Sequence, residues 1–243
     1  MGCTQSTTAD QTVAQPPQIK HQQEENQQQQ QEQARAMQEP PTASDANAGS
    51  TMSNHLALGA GCYWGTEKFV KKDFQKRFPK SILNAKVGFM SPYETPKYRN
   101  PTYEQVCRGD SDHVEVLYIE LKDPEQHFEE LLRFFFSFHD PTTLNRQGND
   151  RGFQYASYIF FSDDRQKEIA QRVKSEMQEL LDTKQIRTFH TKHVLTEVAR
   201  MRKFTQARED HQQYLAKNPF GYCNHRIRFK KWPAKKETEE KQQ

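Results

Sequence analysis

The stretch His55-Leu56-Ala57-Leu58-Gly59-Ala60-Gly61-Cys62-Tyr63-Trp64-Gly65 places a short apolar run, 55–60, directly before an amphipathic one, 62–78, with a cysteine at the joint. The first run has the length and character of a buried strand. The second brings Phe69, Val70, Phe74 and Phe78 to or near one helical face. A thiol at a helix N-terminus meets unpaired backbone N–H groups and the positive end of the dipole, both of which favour thiolate. Cys62 is therefore a candidate nucleophile. The plainer alternative is a small buried hydrophobe, a common setting for a free cysteine.

The alternation of strand and helix continues downstream. Residues 82–89, 113–121 and 155–161 read as strands, and Asp123-Pro124 opens a helix carrying Phe128, Leu131, Leu132 and Phe135 that ends near His139-Asp140-Pro141. Ser162 is expected to cap a helix with Ile169, Val173, Met177 and Leu180 at helical spacing. A last strand over 193–199 and a last helix over 209–217 precede an irregular stretch through Gly221-Tyr222-Cys223. Mixed elements around one core predict an α+β fold, a two-layer α/β sandwich around a mixed sheet with an irregular C-terminal segment. Strand order is not readable from the pattern.

Composition marks three regions. Residues 1–50 hold a glutamine tract over 27–31 and no aromatic residue, since every Phe, Tyr and Trp lies at or beyond Tyr63. Such a segment cannot build a core, and a disordered leader is expected. Residues 51–233 suffice for one catalytic domain with a real core. Residues 234–243 are charged and expected to fray. The leader carries two basic and six acidic side chains, leaving 33 of the chain's 35 basic and 26 of its 32 acidic residues for the rest. That surplus is modest and spread out, which speaks against nucleic acid as a partner.

No stretch is long and apolar enough to span a membrane, no hydrophobic signal region opens the chain, and the Asn100 glycosylation triplet is blocked by Pro101. The four cysteines, Cys3, Cys62, Cys107 and Cys223, are widely spaced and include no CxxC pair, unlike a disulfide framework or a structural zinc site. His190 and His193 would make a metal pair only with two further ligands, and surface histidines are the simpler expectation. The opening Met1-Gly2-Cys3-Thr4-Gln5-Ser6 fits an N-myristoylation signal at Gly2, with Cys3 placed for palmitoylation. Two acyl chains would hold a cytoplasmic protein at a membrane, where one barely does.

Alternation along Val114-Glu115-Val116-Leu117-Tyr118-Ile119-Glu120-Leu121 puts Glu115 on the same face as Leu117, Ile119 and Leu121. A carboxyl on an apolar face is a candidate for a raised pKa and for a general acid. A fraying strand end or an arginine partner would explain it equally well.

Several motifs occur together and in order. GCYWG spans 61–65, NPTYEQVC spans 100–107, HVEV spans 113–116 and HDPT spans 139–142. NRQGNDRGFQY follows at 145–155, DHQQYL at 210–215 and NPFGYC at 218–223. In this ordered set the chain resembles methionine sulfoxide reductase class A, the peptide-methionine (S)-S-oxide reductases, over residues 56–223. The resemblance implies thiol-dependent reduction of methionine-S-sulfoxide, free or in proteins, as repair under oxidative stress. By resemblance Cys62 attacks the sulfoxide sulfur and becomes a sulfenic acid, while Glu115 protonates the sulfoxide oxygen. Tyr103 and Tyr155 match the tyrosines that hydrogen-bond that oxygen, and Asp150 matches the site's carboxylate. Tyr63 and Trp64 match the apolar pocket for the methyl group. Cys223 matches the resolving cysteine, implying a Cys62–Cys223 disulfide reopened by an external dithiol such as thioredoxin. No bound cofactor or metal is implied, and a monomer is expected. Cys107 matches a cysteine without a catalytic role and is expected to be buried.

The chain departs from the family pattern at Tyr63, usually Phe, at Gly88-Phe89-Met90-Ser91-Pro92 in place of GYxGG, and at Ser111-Asp112-His113 in place of TGH. Two other classes compete. A cysteine hydrolase or acyltransferase would need a base such as His113, His139, His190, His193 or His211 beside Cys62. A non-catalytic, membrane-tethered interaction protein is the other, although every matched catalytic position is filled.

Overall fold

The structure, a computed structural model, describes residues 51–189 and 191–234. The acylation signal at Gly2 and Cys3, the leader, His190 and residues 235–243 lie outside the described residues.

Strand β1 (His55–Ala60) runs down the middle of a six-stranded sheet. Its neighbours are β3 (Val114–Leu121) and β6 (Ser157–Phe161), both antiparallel to it. Beyond β3 lie β2 (Ile82–Met90) and β8 (Phe204–Gln206), also antiparallel, and beyond β6 lies β7 (Glu197–Arg200), in parallel. The order β7-β6-β1-β3-β2-β8 with its single parallel pair makes the sheet mixed, as expected. Two-residue strands β4 (Arg146–Gln147) and β5 (Asp150–Arg151) form a separate small ladder.

One face of the sheet carries Leu56, Leu58, Val87, Leu117, Ile119 and Ile159, all fully buried in the main core. That core is completed by the phenylalanine-rich helix α4 (Pro124–Phe138) and by Ala170, Val173 and Met177 of α5 (Asp164–Asp182). The opposite face holds a smaller cluster around Ala57, Val116 and Phe160. Helices on one side and a thin second cluster on the other give the predicted two-layer arrangement.

Local chemistry explains where the elements depart from the sequence expectations. The helical run after Cys62 comprises α1 (Tyr63–Lys68), a wide π turn (Phe69–Phe74) and α2 (Gln75–Arg77), because a π turn lets Phe69, Val70 and Phe74 all reach the core. The cap of α5 is Asp163, whose side chain accepts from Gln166 N at 2.8 Å. Ser162, expected in that role, instead donates to His55 O at 2.7 Å and fastens β6 to β1. The strand expected over 193–199 begins only at Glu197. Upstream, Val194 N donates to Gln178 Oε1 at 2.9 Å and Leu195 N to Pro141 O at 2.7 Å, so those amides are spent outside the sheet. The helix expected over 209–217 is shortened to α6 (Tyr214–Lys217) by Gln213, held at φ 55°. No helix or strand follows Lys217 among the described residues. Cys107, expected to be buried, is exposed: on the short α3 (Tyr103–Cys107) only Val106 enters the core.

The link from β1 to α1 leaves no room for a side chain. Gly61 has φ 86°, and a Cβ there would stand 2.4 Å from Cβ of Gln147. Gln147 cannot retreat, because its amide is bonded to both the N–H and the carbonyl of Asp140 at 3.0 and 3.3 Å. Gly61→Ala is expected to cost about 2–4 kcal/mol, seen as a lower urea midpoint together with loss of activity. An unchanged midpoint would show that this turn tolerates a side chain.

Candidate active site

Cys62 is the non-helical N-cap residue immediately before α1, only 9 % exposed. The backbone N–H groups of Trp64 and Gly65 point at its sulfur and favour thiolate, as expected of a helix start. They do not prevail. Burial, and after it the negative field of Glu115 and Asp150, push the thiol well above its ordinary pKa, so the resting sulfur is protonated. The expectation of a helix-stabilised resting thiolate is thereby corrected: desolvation outweighs two amides.

Glu115 lies in β3 opposite Phe89 of β2 and faces α1 as alternation predicted. Its Oε2 accepts a hydrogen bond from Tyr63 N at 3.0 Å. It has no arginine partner among the described residues, and burial pushes its pKa up to about 8, against the Tyr63 amide and with help from Asp150. Near neutral pH the carboxyl is mostly protonated, so its repulsion of a Cys62 thiolate is largely removed. A buried acid holding a proton beside a buried thiol is suited to deliver that proton to an acceptor entering between them.

The other expected residues gather around this pair. Tyr155, at the end of the turn Phe153–Tyr155, is half-buried; burial raises its pKa, and the charges of Glu115, Asp150 and Cys62 add to the effect. Tyr103, first residue of α3, is held by a Thr102–Gln105 capping box and is raised likewise, by burial first and then by its hydrogen bond with Cys107. Both phenols thus stay protonated and able to donate. Asp150 is half-buried and raised by burial; Asn224 Nδ2 at 2.8 Å and Tyr222 OH at 3.3 Å donate to its two oxygens and oppose that rise.

Tyr63 is 1 % exposed, and Trp64 stacks on Tyr214 with ring centroids 3.9 Å apart. The Tyr63 hydroxyl, absent where phenylalanine is usual, pairs with Nδ1 of buried His211 at 2.8 Å. Burial lowers the His211 pKa and favours the neutral ring, whose tautomer sets which of the two groups donates. Its ring lies 4.5 Å from that of Tyr103. Cys223 is half-buried and flanked by anchors. Asn224 also donates to Gln147 O at 2.9 Å, and His225 Nε2 donates to Ala60 O at 2.7 Å, two residues from Cys62. The ring of His225 fills the space over Gly65, where a Cβ would lie 2.0 Å from Nδ1.

Sequence reasoning gave no structural role to His211, Tyr214 and Tyr222, although they lie in the quoted DHQQYL and NPFGYC segments. Asn224 and His225 fall beyond the last motif and carried no signal. The hydrolase alternative finds no support: no described histidine hydrogen-bonds Cys62. His113 is bonded to Ser111 O, His139 to Phe135 O and Ser157 Oγ, and His211 to Tyr63, while His193 is exposed. Among the described residues no cluster of ligands could hold a metal ion.

Comparison with known proteins gives one consistent result. Residues 54–243 match the family described as Peptide methionine sulfoxide reductase. A relative from Clostridium botulinum strain Okra, named Peptide methionine sulfoxide reductase MsrA, is 40% identical over 169 residues, covering 70% of this chain and 96% of its own. Among solved structures, Mxr1 from Saccharomyces cerevisiae in reduced form aligns with a TM-score of 0.62 at 32% identity, over 78% of this chain and 98% of its own. Methionine sulfoxide reductase A of Corynebacterium diphtheriae aligns with a TM-score of 0.54 at 31% identity, over 72% of this chain and 79% of its own.

The buried acid leaves a signature in stability. Its folded pKa of about 8 lies above the ordinary 4.5, so between those values the unfolded chain loses the proton first and folding weakens as pH rises. Glu115→Gln removes that slope. The urea midpoint of the wild type is expected to fall more than that of the variant between pH 5 and 8, and parallel curves would contradict a buried, protonated Glu115.

Proposed function

We infer the reaction course of this chain from the premise that it belongs to the peptide methionine sulfoxide reductase family. It is an oxidoreductase that reduces methionine sulfoxide at the expense of thiols. The observation that carries the assignment of roles is the Tyr63 N–H to Glu115 hydrogen bond, which holds a protonated carboxyl against the turn that bears Cys62.

In the proposed course the sulfoxide of a methionine-S-sulfoxide enters with its oxygen toward Glu115, Tyr103 and Tyr155. Cys62 attacks the sulfur as Glu115 gives its proton to the oxygen; the thiol proton replaces the one given. Oxygen passes from substrate to enzyme, leaving methionine and a Cys62 sulfenic acid. The Trp64 indole and Tyr63 ring take the methyl group, which sets the epimer. Asp150 keeps the site polar on its outer side. The Cys223 thiol then attacks the sulfenic sulfur, a Cys62–Cys223 disulfide forms and water leaves. A thioredoxin-like dithiol reopens the bond by exchange, becoming a disulfide itself.

This course separates the two cysteines. Cys62→Ser should abolish reduction of the S epimer. Cys223→Ser should release about one methionine per enzyme and then stall as a sulfenic acid trapped by dimedone. Repeated turnover of the Cys223 variant with thioredoxin alone would overturn its role as resolving residue.

We also propose that the enzyme works in the cytoplasm at a membrane surface, on the strength of Gly2, Cys3 and Ser6 and of the absence of an apolar span among the described helices. Intact-mass analysis of the N-terminal peptide from a eukaryotic host should show myristate on Gly2 and palmitate on Cys3, with Gly2→Ala releasing the protein from the membrane pellet. An unmodified Gly2 would leave a reductase without an anchor.

A further inference from the structure

Three lysines on the helical run that begins at Cys62 have no part in the chemistry above. Lys68, Lys71 and Lys72 line one groove together with Trp64, Glu67 and Pro219. Lys68 and Lys72 are exposed, and Lys72 makes no ion pair among the described residues. Lys71 faces Glu67 at 3.7 Å. Among the described residues Glu67 is the only carboxylate on the groove wall; it is 3 % exposed and its Oε2 is already taken by Gln213 N at 2.7 Å. One buried carboxylate against three lysines leaves the groove cationic.

The groove is joined to the reaction centre by Trp64, which contacts Tyr63 on one side and is a wall of the groove on the other. Its Nε1–H is a buried donor with no acceptor among the described residues. One face of the indole is covered by Tyr214 at 3.9 Å, which disfavours a stacked nucleic acid base. Lys68 and Lys72 lie six and ten residues beyond Cys62, about 9 and 15 Å of helical rise. An extended chain covers about 3.3 Å per residue, so a polypeptide whose sulfoxide is at Cys62 would bring residues roughly three to five positions away over these lysines.

We propose that this groove is a docking subsite for the polypeptide substrate, and that it selects methionine sulfoxide flanked at about three to five residues by aspartate or glutamate. The subsite rests on the reductase reading and deepens it: small sulfoxides would use the reaction centre alone, whereas acidic proteins would use both. Rim charges act chiefly on encounter, so the preference resides in kcat/KM and fades with salt.

The test compares three substrates of the S epimer: N-acetyl-methionine sulfoxide amide, peptides with three glutamates starting three residues before or after the sulfoxide, and the same peptides with lysines. The wild type is expected to favour a glutamate peptide over its lysine counterpart by about tenfold, with the ratio shrinking in 0.5 M salt. K68E/K72E should bring the ratio to one or invert it. The same charge reversal at exposed Lys122 and Lys167, outside the groove, should leave the ratio in place. A wild-type ratio near one on both sides of the sulfoxide, or a ratio that follows the Lys122 and Lys167 variant instead, overturns the subsite. Failure to reduce the N-acetyl amide at all would be a failure of the reductase reading, and is read separately.

Discussion

The hydrogen bond from Tyr63 N to Glu115 is the contact on which the site depends. It spans 52 residues of sequence and joins the first turn of α1 to the start of β3. Everything that makes Cys62 useful is referred to it. The turn at Gly61 brings the thiol within the field of this carboxyl, and β1 and β3, the strands beside them, are neighbours in the sheet. An unpaired carboxyl in such a setting would be costly, whereas one amide donor and a retained proton make its burial tolerable.

The protonation states follow from the same burial. Desolvation acts in one direction on Cys62, Glu115, Tyr103 and Tyr155, keeping a proton on each. The free site is therefore stocked with proton donors, a suitable environment for a sulfoxide, whose oxygen is a strong hydrogen-bond acceptor. Asp150 is the acidic group beside them, and its charge helps hold the protons on Cys62 and Glu115. His225, buried and lowered to about 4, adds no positive charge that would stabilise an idle thiolate.

Much of this was legible in the sequence. Alternation alone placed Glu115 on the inner face of β3, and the strand-to-helix joint singled out Cys62, because both rest on local periodicity. The sign of the Cys62 shift was not legible, since it depends on how deeply tertiary packing buries the helix start. Cap and strand ends slipped for similar reasons. Ser162 and Asp163 are equally good caps until β1 supplies an acceptor for one of them, and Val194 reads as a strand residue until Gln178 claims its amide. The exposure of Cys107 escaped because α3 is too short for a burial period to show. Asn224 and His225 belong to an irregular segment, where neither period nor motif marks which side chain will find a partner.

Cys223 sits between two residues that grip the same carboxylate: Tyr222 holds one oxygen of Asp150 and Asn224 the other. A backbone shift that carries the sulfur elsewhere must drag at least one of these fingers off the anion. Since both contacts lower the proton affinity of Asp150, their release would leave it more basic. With the two cysteines paired as proposed, oxidation of the thiols and proton uptake at Asp150 would be linked events, and the electron count of the cysteines would be readable through Tyr222 and Asn224 as a change in hydrogen-ion binding at Asp150.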